Sequence, residues 1–172
     1  MQIEIADYDP DWPAQFERAA ARIREALGAD TLSLEHVGST SVPGLPAKPV
    51  IDINLTVLDS AGEETYAPRL ESAGYKLIVR EPDWYEHRMF QGHDPRTNLH
   101  VFSQFCAEVA RMRMFRDWLR RSPEDLVLYA ETKRRLAAMN WDNIQNYADA
   151  KQNVVGEIMA RAVAHMANEL NS

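Results

Sequence analysis
A chain of 172 residues, 45% apolar and 26% charged, has the size and composition of one folded domain, or of an α/β core with a helical extension, and excludes a disordered chain. Its net charge of −7 argues against general nucleic-acid binding, and its single cysteine, Cys106, excludes an internal disulfide and a multi-thiolate zinc site. No apolar run approaches the roughly 18 residues of a membrane span, and no basic-then-apolar signal pattern opens the chain, so a soluble, cytoplasmic protein is expected.

The first predicted element is a helix over residues 11–27. Asp11 is placed to cap it, Pro13 is tolerated in its first turn, and Trp12, Phe16, Ala19, Ile23 and Leu27 recur at helical spacing. Residues 31–37 alternate and read as a strand, with Leu32, Leu34 and His36 on one face. Turn formers fill residues 38–48, a structured loop. Residues 50–58 are β-branched and almost continuously apolar, the pattern of a central strand. A second helix is predicted over 60–73, closed by Gly74. Residues 75–80, 84–91 and 98–105 read as three more strands, the last two joined as a hairpin.

Beyond Cys106, whose flanks suggest a small buried hydrophobe, the period turns helical. Met112, Phe115 and Leu119 make one stripe. Ser122 and Pro123 restart the pattern with a cap and a first-turn proline. Residues 141–143 separate that helix from a final one over 144–168. The expectation is one α+β domain, residues 1–105 forming the sheet core and 106–172 a cap of three helices. Residues 111–135 carry eight basic against four acidic side chains, so this cap reads either as a solvated surface or as a face for an anionic ligand.

The chemistry concentrates between His36 and Asn54. A strand runs into Gly38 and Ser39, where backbone N–H groups can approach a ligand without an intervening Cβ. Ser39, Thr40 and Ser41 add hydroxyls and Lys48 a cation, a set suited to phosphate oxygens or, more plainly, to capping its own loop. Asp52 stands in mid-strand, where a carboxylate is costly unless paired, hydrated or metal-bound. Asp52, Asn54 and Thr56 share one face, while Ile51, Ile53 and Leu55 pack behind. Lys133 and Lys151 on the cap read as solvated or as closing over a ligand. Trp118, Tyr129 and Trp141 read as packing residues.

A strand, Gly38-Ser39, a spacer and a second strand with Asp52 resembles the nucleotidyltransferase superfamily. The longer run His36-Val-Gly-Ser-Thr-Ser-Val-Pro-Gly-Leu-Pro-Ala-Lys-Pro-Val-Ile-Asp-Ile53 is similar to the GrpB family. The similarity continues through Asn98-Leu-His-Val-Phe102, Arg113-Met-Phe-Arg-Asp-Trp-Leu-Arg120, Tyr147 and Lys151. It implies a nucleotidyltransferase-like mixed sheet with a helical cap, and transfer of a nucleoside monophosphate from a nucleoside triphosphate to an acceptor. In that superfamily two carboxylates two residues apart, with a third acid on a later strand, hold divalent metal. Here Asp52 fills the first position, but Asn54 stands at the second and His100 or Glu86 at the third. The resemblance implies Asp52 as catalytic metal anchor, Gly38, Ser39, Thr40 and Ser41 around the phosphates, and Lys48 or Arg88 balancing charge. The candidate metal set is Asp52, Asn54, His36 and His100, of which the imidazoles suit Zn²⁺ or Mn²⁺ better than Mg²⁺. Two alternatives remain open, a non-catalytic nucleotide or phosphometabolite binder and a metal-assisted hydrolase using His36, Asp52 and His100.

Overall fold
The computed structural model describes residues 1–172, and its first regular element is helix α1, Trp12–Leu27. Trp12, Ala19, Ile23 and Leu27 are buried on one face, with Pro13 in the first turn, where a missing N–H costs nothing. Asp11 makes no cap bond. Its own backbone is already helical, and its carboxylate accepts instead from Gln15 Nε2 at 3.1 Å.

Five strands follow: β1 Ser33–Val37, β2 Ile51–Val57, β3 Lys76–Glu81, β4 His87–Gly92 and β5 Thr97–Ser103. They form one mixed sheet in the order β1-β2-β5-β4-β3, in which β2 and β5 run parallel. The period of two in β2 turns Ile51, Ile53, Leu55 and Val57 toward α1 and a short helix α2, Ala67–Ser72. Asp52, Asn54 and Thr56 face the other way. Register sets Leu99 and Val101 beside Ile53 and Leu55, and Phe90 beside Leu99. All are buried, and at roughly 1.5–3 kcal/mol for each large side chain removed from water, this layer is the main core.

Two expected boundaries shift. The helix predicted over 60–73 contracts to a 3-10 turn, Glu63–Thr65, and α2. Pro68 lacks an N–H and its ring clashes with the carbonyl four residues back, so it fits only a first turn and the helix begins at Ala67. Strand β4 starts at His87 rather than Trp84, because Tyr85 and Glu86 pass through left-handed backbone at φ 55° and 49°.

Four helices, one more than expected, complete the chain: α3 Ala107–Arg121, α4 Pro123–Ala137, α5 Ile144–Ala150 and α6 Gln152–Leu170. Ser122 caps α4 as the sequence predicts, accepting the Asp125 N–H at 3.3 Å. The expected last helix breaks at Lys151, whose N–H bonds three residues back to Ala148 at 3.2 Å. That break leaves Tyr147 and Lys151 lining a cleft while Val154 and Ile158 pack with Leu119 of α3 and with Tyr129 and Ala130 of α4. Val42 and Leu45 join this second cluster, so the loop after β1 is fastened to the cap. Trp118 and Trp141 are held by indole bonds to Asp125 and the Leu136 carbonyl, both at 2.7 Å, which makes all three expected packing aromatics part of the cap. Cys106 is half-buried, not the buried hydrophobe expected, because the turn from β5 into α3 swings its neighbour Phe105 into solvent at φ 62°. No helix is long and apolar enough to cross a membrane.

Candidate functional site
Strand β1 delivers the chain to Gly38, whose φ of 72° is left-handed and where a Cβ would stand 2.7 Å from Asp52 Oδ2. Glycine is required there on both grounds. The next residues make one 3-10 turn, Ser39–Ser41, whose hydroxyls diverge. Ser39 Oγ accepts from Lys133 Nζ at 2.6 Å, Thr40 Oγ1 pairs with His36 Nε2 at 2.8 Å, and Ser41 Oγ donates back to the Gly38 carbonyl at 2.5 Å. Ser39 and Thr40 line a cleft of about 250 Å³ together with Lys48, Asp52, Lys133, Tyr147 and Lys151. Ser41 does not line it. Its hydroxyl closes the turn and its carbonyl accepts from Arg120, so its expected phosphate contact is corrected to a structural one.

The cap supplies most of the positive charge. Lys133 is 3% exposed and donates also to the Pro46 carbonyl at 2.7 Å. Burial first, then the neighbouring Lys151, pull its pKa down to about 7. Lys151 lies over the Tyr147 ring, 4.5 Å from its centre, and burial lowers its pKa as well. A solvated Lys133 is one of the two readings the sequence allows. The signal against that was its place in the stripe Tyr129, Lys133, Leu136 at helical spacing, all of it buried.

Asp52 ends a row of side chains on one face of four neighbouring strands. His100 Nε2 stands 3.2 Å from Asp52 Oδ1, His100 Nδ1 stands 3.0 Å from His87 Nε2, and His87 Nδ1 stands 2.8 Å from Glu81 Oε1. With both carboxylates accepting, three such links among four ring nitrogens need three protons, and the row is then complete when one imidazole is doubly protonated. Burial works against that by pulling the His87 pKa down, while the Glu81 hydrogen bond opposes it. His87 and Glu81 escaped sequence reading, though the alternation of β4 already put His87 on the face of Met89.

Other expected members do not join the cleft. Antiparallel register sets His36 opposite Ile53, hence on the α1 face of the sheet, where its ring stacks on Phe16 at 4.9 Å. Burial, then Arg120, lower its pKa to about 4. Arg88 sits opposite Val101 on that same α1 face, its guanidinium bound to Glu63 at 2.7 Å and Glu86 at 3.1 Å, so neither Arg88 nor Glu86 faces Asp52. Asn54 is 1% exposed beneath α3. Its amide nitrogen donates to Met112 Sδ at 3.4 Å and its Oδ1 has no partner.

This donor set does not fit a paired divalent-ion centre. Asp52 has no second carboxylate beside it, His100 is already engaged on both ring nitrogens, and no three His, Cys, Asp or Glu side chains come together to hold an ion.

The family model described as "GrpB protein" matches residues 2–161. This chain belongs to the GrpB family. It is 57% identical over 162 residues to the UPF0157 protein BH1888 of Halalkalibacterium halodurans, covering 94% of this chain and 83% of that one. The solved structure of the conserved protein GrpB from Enterococcus faecalis matches it with a TM-score of 0.83 at 30% identity, over 95% of this chain and 99% of that one. The Cid1 poly(U) polymerase shares its fold at a TM-score of 0.52 and 12% identity, over 75% of this chain and 44% of that one. This GrpB chain thus has the α+β architecture of its family, with a distant likeness to a nucleotidyltransferase.

Proposed function
We propose that the cleft between the Gly38 turn and the cap holds the phosphates of a nucleotide. The observation that carries this reading is convergence. Lys48 from the loop and Lys151 from the α5–α6 junction line one cavity with Thr40 and with Ser39, whose hydroxyl is held by Lys133 from α4. Phosphate oxygens match such a set of cationic and hydroxyl donors. Tyr147, Ile3 and Ile144 form an apolar wall of the cleft for the rest of the ligand. In this reading Lys48 and Lys151 balance phosphate charge, and Lys133 holds Ser39 in place.

A second reading keeps Asp52 catalytic and has the chain transfer a nucleoside monophosphate from a nucleoside triphosphate to an acceptor. The contact of Asp52 with the Gly38 turn favours it; Asn54 and the missing second acid weigh against it. The hydrolase reading loses its basis, since His36 lies across the sheet from Asp52 and His100.

Titration calorimetry with ATP, GTP and pyrophosphate, with and without Mg²⁺ or Mn²⁺, tests both. Binding is expected, and Lys48→Ala and Lys151→Ala should each weaken it about tenfold to a hundredfold, the worth of one charge-assisted hydrogen bond. No binding under any condition would sink the reading. Pyrophosphate release that Asp52→Asn abolishes, with binding kept, would establish transfer instead. Asn54→Asp should then tighten Mn²⁺ binding while destabilising the ion-free fold, because the new carboxylate is buried beside Asp52.

A further inference from the structure
We infer that Ser39 and Lys133 form a nucleophile–base pair, and that Ser39 Oγ attacks an electrophilic phosphorus centre held in the cleft. The two atoms are 2.6 Å apart, and the other partner of Lys133 Nζ is the Pro46 carbonyl. No carboxylate bonds to this buried amine, whereas a buried ammonium kept for structure needs a counter-charge. A neutral amine fits the site fully: it donates to Pro46 and accepts the Ser39 hydroxyl proton. The other charged and titratable groups around it point the same way on balance. Lys151 opposes protonation together with burial, and the two outweigh Asp52 on β2, which favours it. Tyr129, its ring centre 5.4 Å from Nζ, is raised by burial to about 12 and stays a neutral phenol beside Ser39. Lys48 and Lys151 draw an anionic substrate into the same cavity.

The inference goes beyond nucleotide binding, because it gives the cleft a covalent step. The Ser39 Oγ–P bond forms as the bond from phosphorus to its leaving oxygen breaks. The hydroxyl proton passes to Lys133 Nζ and on to that leaving oxygen. A water molecule, deprotonated by the same amine, then cleaves the Oγ–P bond, and its proton returns to the serine oxygen. The substrate class is a phosphate ester or anhydride.

Diisopropyl fluorophosphate is the probe: attack by Ser39 forms an Oγ–P bond and expels fluoride. Intact-mass and peptide mapping should find one adduct, on Ser39, with a labelling rate that rises with pH about a midpoint near 7, where Lys133 loses its proton. Lys133→Met should slow labelling by about 10²–10⁴-fold, the usual worth of a general base. Lys133→Arg puts a permanent cation where the base stood and should lose labelling as well. ATP titration of the wild-type protein separates the two readings, because binding without a Ser39 adduct would overturn this inference and leave the nucleotide reading standing. Absence of a Ser39 adduct in the wild-type protein, or labelling of either variant at the wild-type rate, would overturn it. Should the variants not fold, the wild-type profile decides, and a rate flat across the midpoint would overturn it equally.

Discussion
Burial of His36 against Phe16, reinforced by Arg120, keeps its imidazole neutral down to about pH 4 instead of its ordinary 6.5. The folded state therefore holds fewer protons than the unfolded chain between those values, and stability present in full above 6.5 drains away as the pH falls through 4. The shift corresponds to about 3 kcal/mol. Proton NMR should place the His36 midpoint near 4, and His36→Gln should flatten the decline of stability across that window. An ordinary midpoint would contradict the burial argument. Gly38 offers a second test. Gly38→Ala adds a Cβ 2.7 Å from Asp52 Oδ2 in left-handed backbone, so a loss of about 1–3 kcal/mol is expected, together with loss of nucleotide binding as Asp52 is pushed aside. Calorimetric unfolding and ligand titration of the same sample would check both halves.

At the scale of elements, local rules were legible where one interaction decides the outcome. The Ser122-Pro123 start of α4 is one such place, and Ser122→Ala should cost roughly 0.5–2 kcal/mol in denaturant unfolding. Asp125, 5% exposed, accepts from the Trp118 indole at 2.7 Å and from Arg161 at 2.7 Å, and Arg161 holds its pKa down. Asp125→Ala leaves that indole unpaired and should cost about 1–3 kcal/mol, read as a fall in Tm. Faces proved harder to read than elements. The polar face of β2 followed from its own alternation, but the face of His36 or Arg88 depends on register with a partner strand, which no single strand encodes. The choice between the two readings of Lys133 stayed open for a related reason: a basic residue in a basic stretch looks solvated until the apolar spacing around it is weighed. Pro68 and the left-handed turn at Tyr85 and Glu86 moved boundaries that periodicity alone had placed.

For the molecule as a whole, the cleft has one wall from each end of the chain. The turn, Asp52 and Lys48 come from the first third, Lys133, Tyr147 and Lys151 from the last, and the Ser39–Lys133 bond spans 94 residues. Contacts that distant in sequence must overcome loop-closure entropy before they contribute, which makes them late events in folding. A ligand that touches both walls is bound only by molecules whose cap is docked. It therefore adds its binding free energy to every opening that lifts the cap, while leaving local fraying of β3 or the chain ends untouched. Saturating pyrophosphate should slow amide hydrogen exchange across α4 to α6 far more than in β3, and at the same concentration the slowing should be about tenfold to a hundredfold smaller in Lys151→Ala. Uniform protection, or none, would mean the ligand sits on one wall alone. In kinetic terms the cleft is a latch: its occupancy sets how long the two ends of the chain stay together.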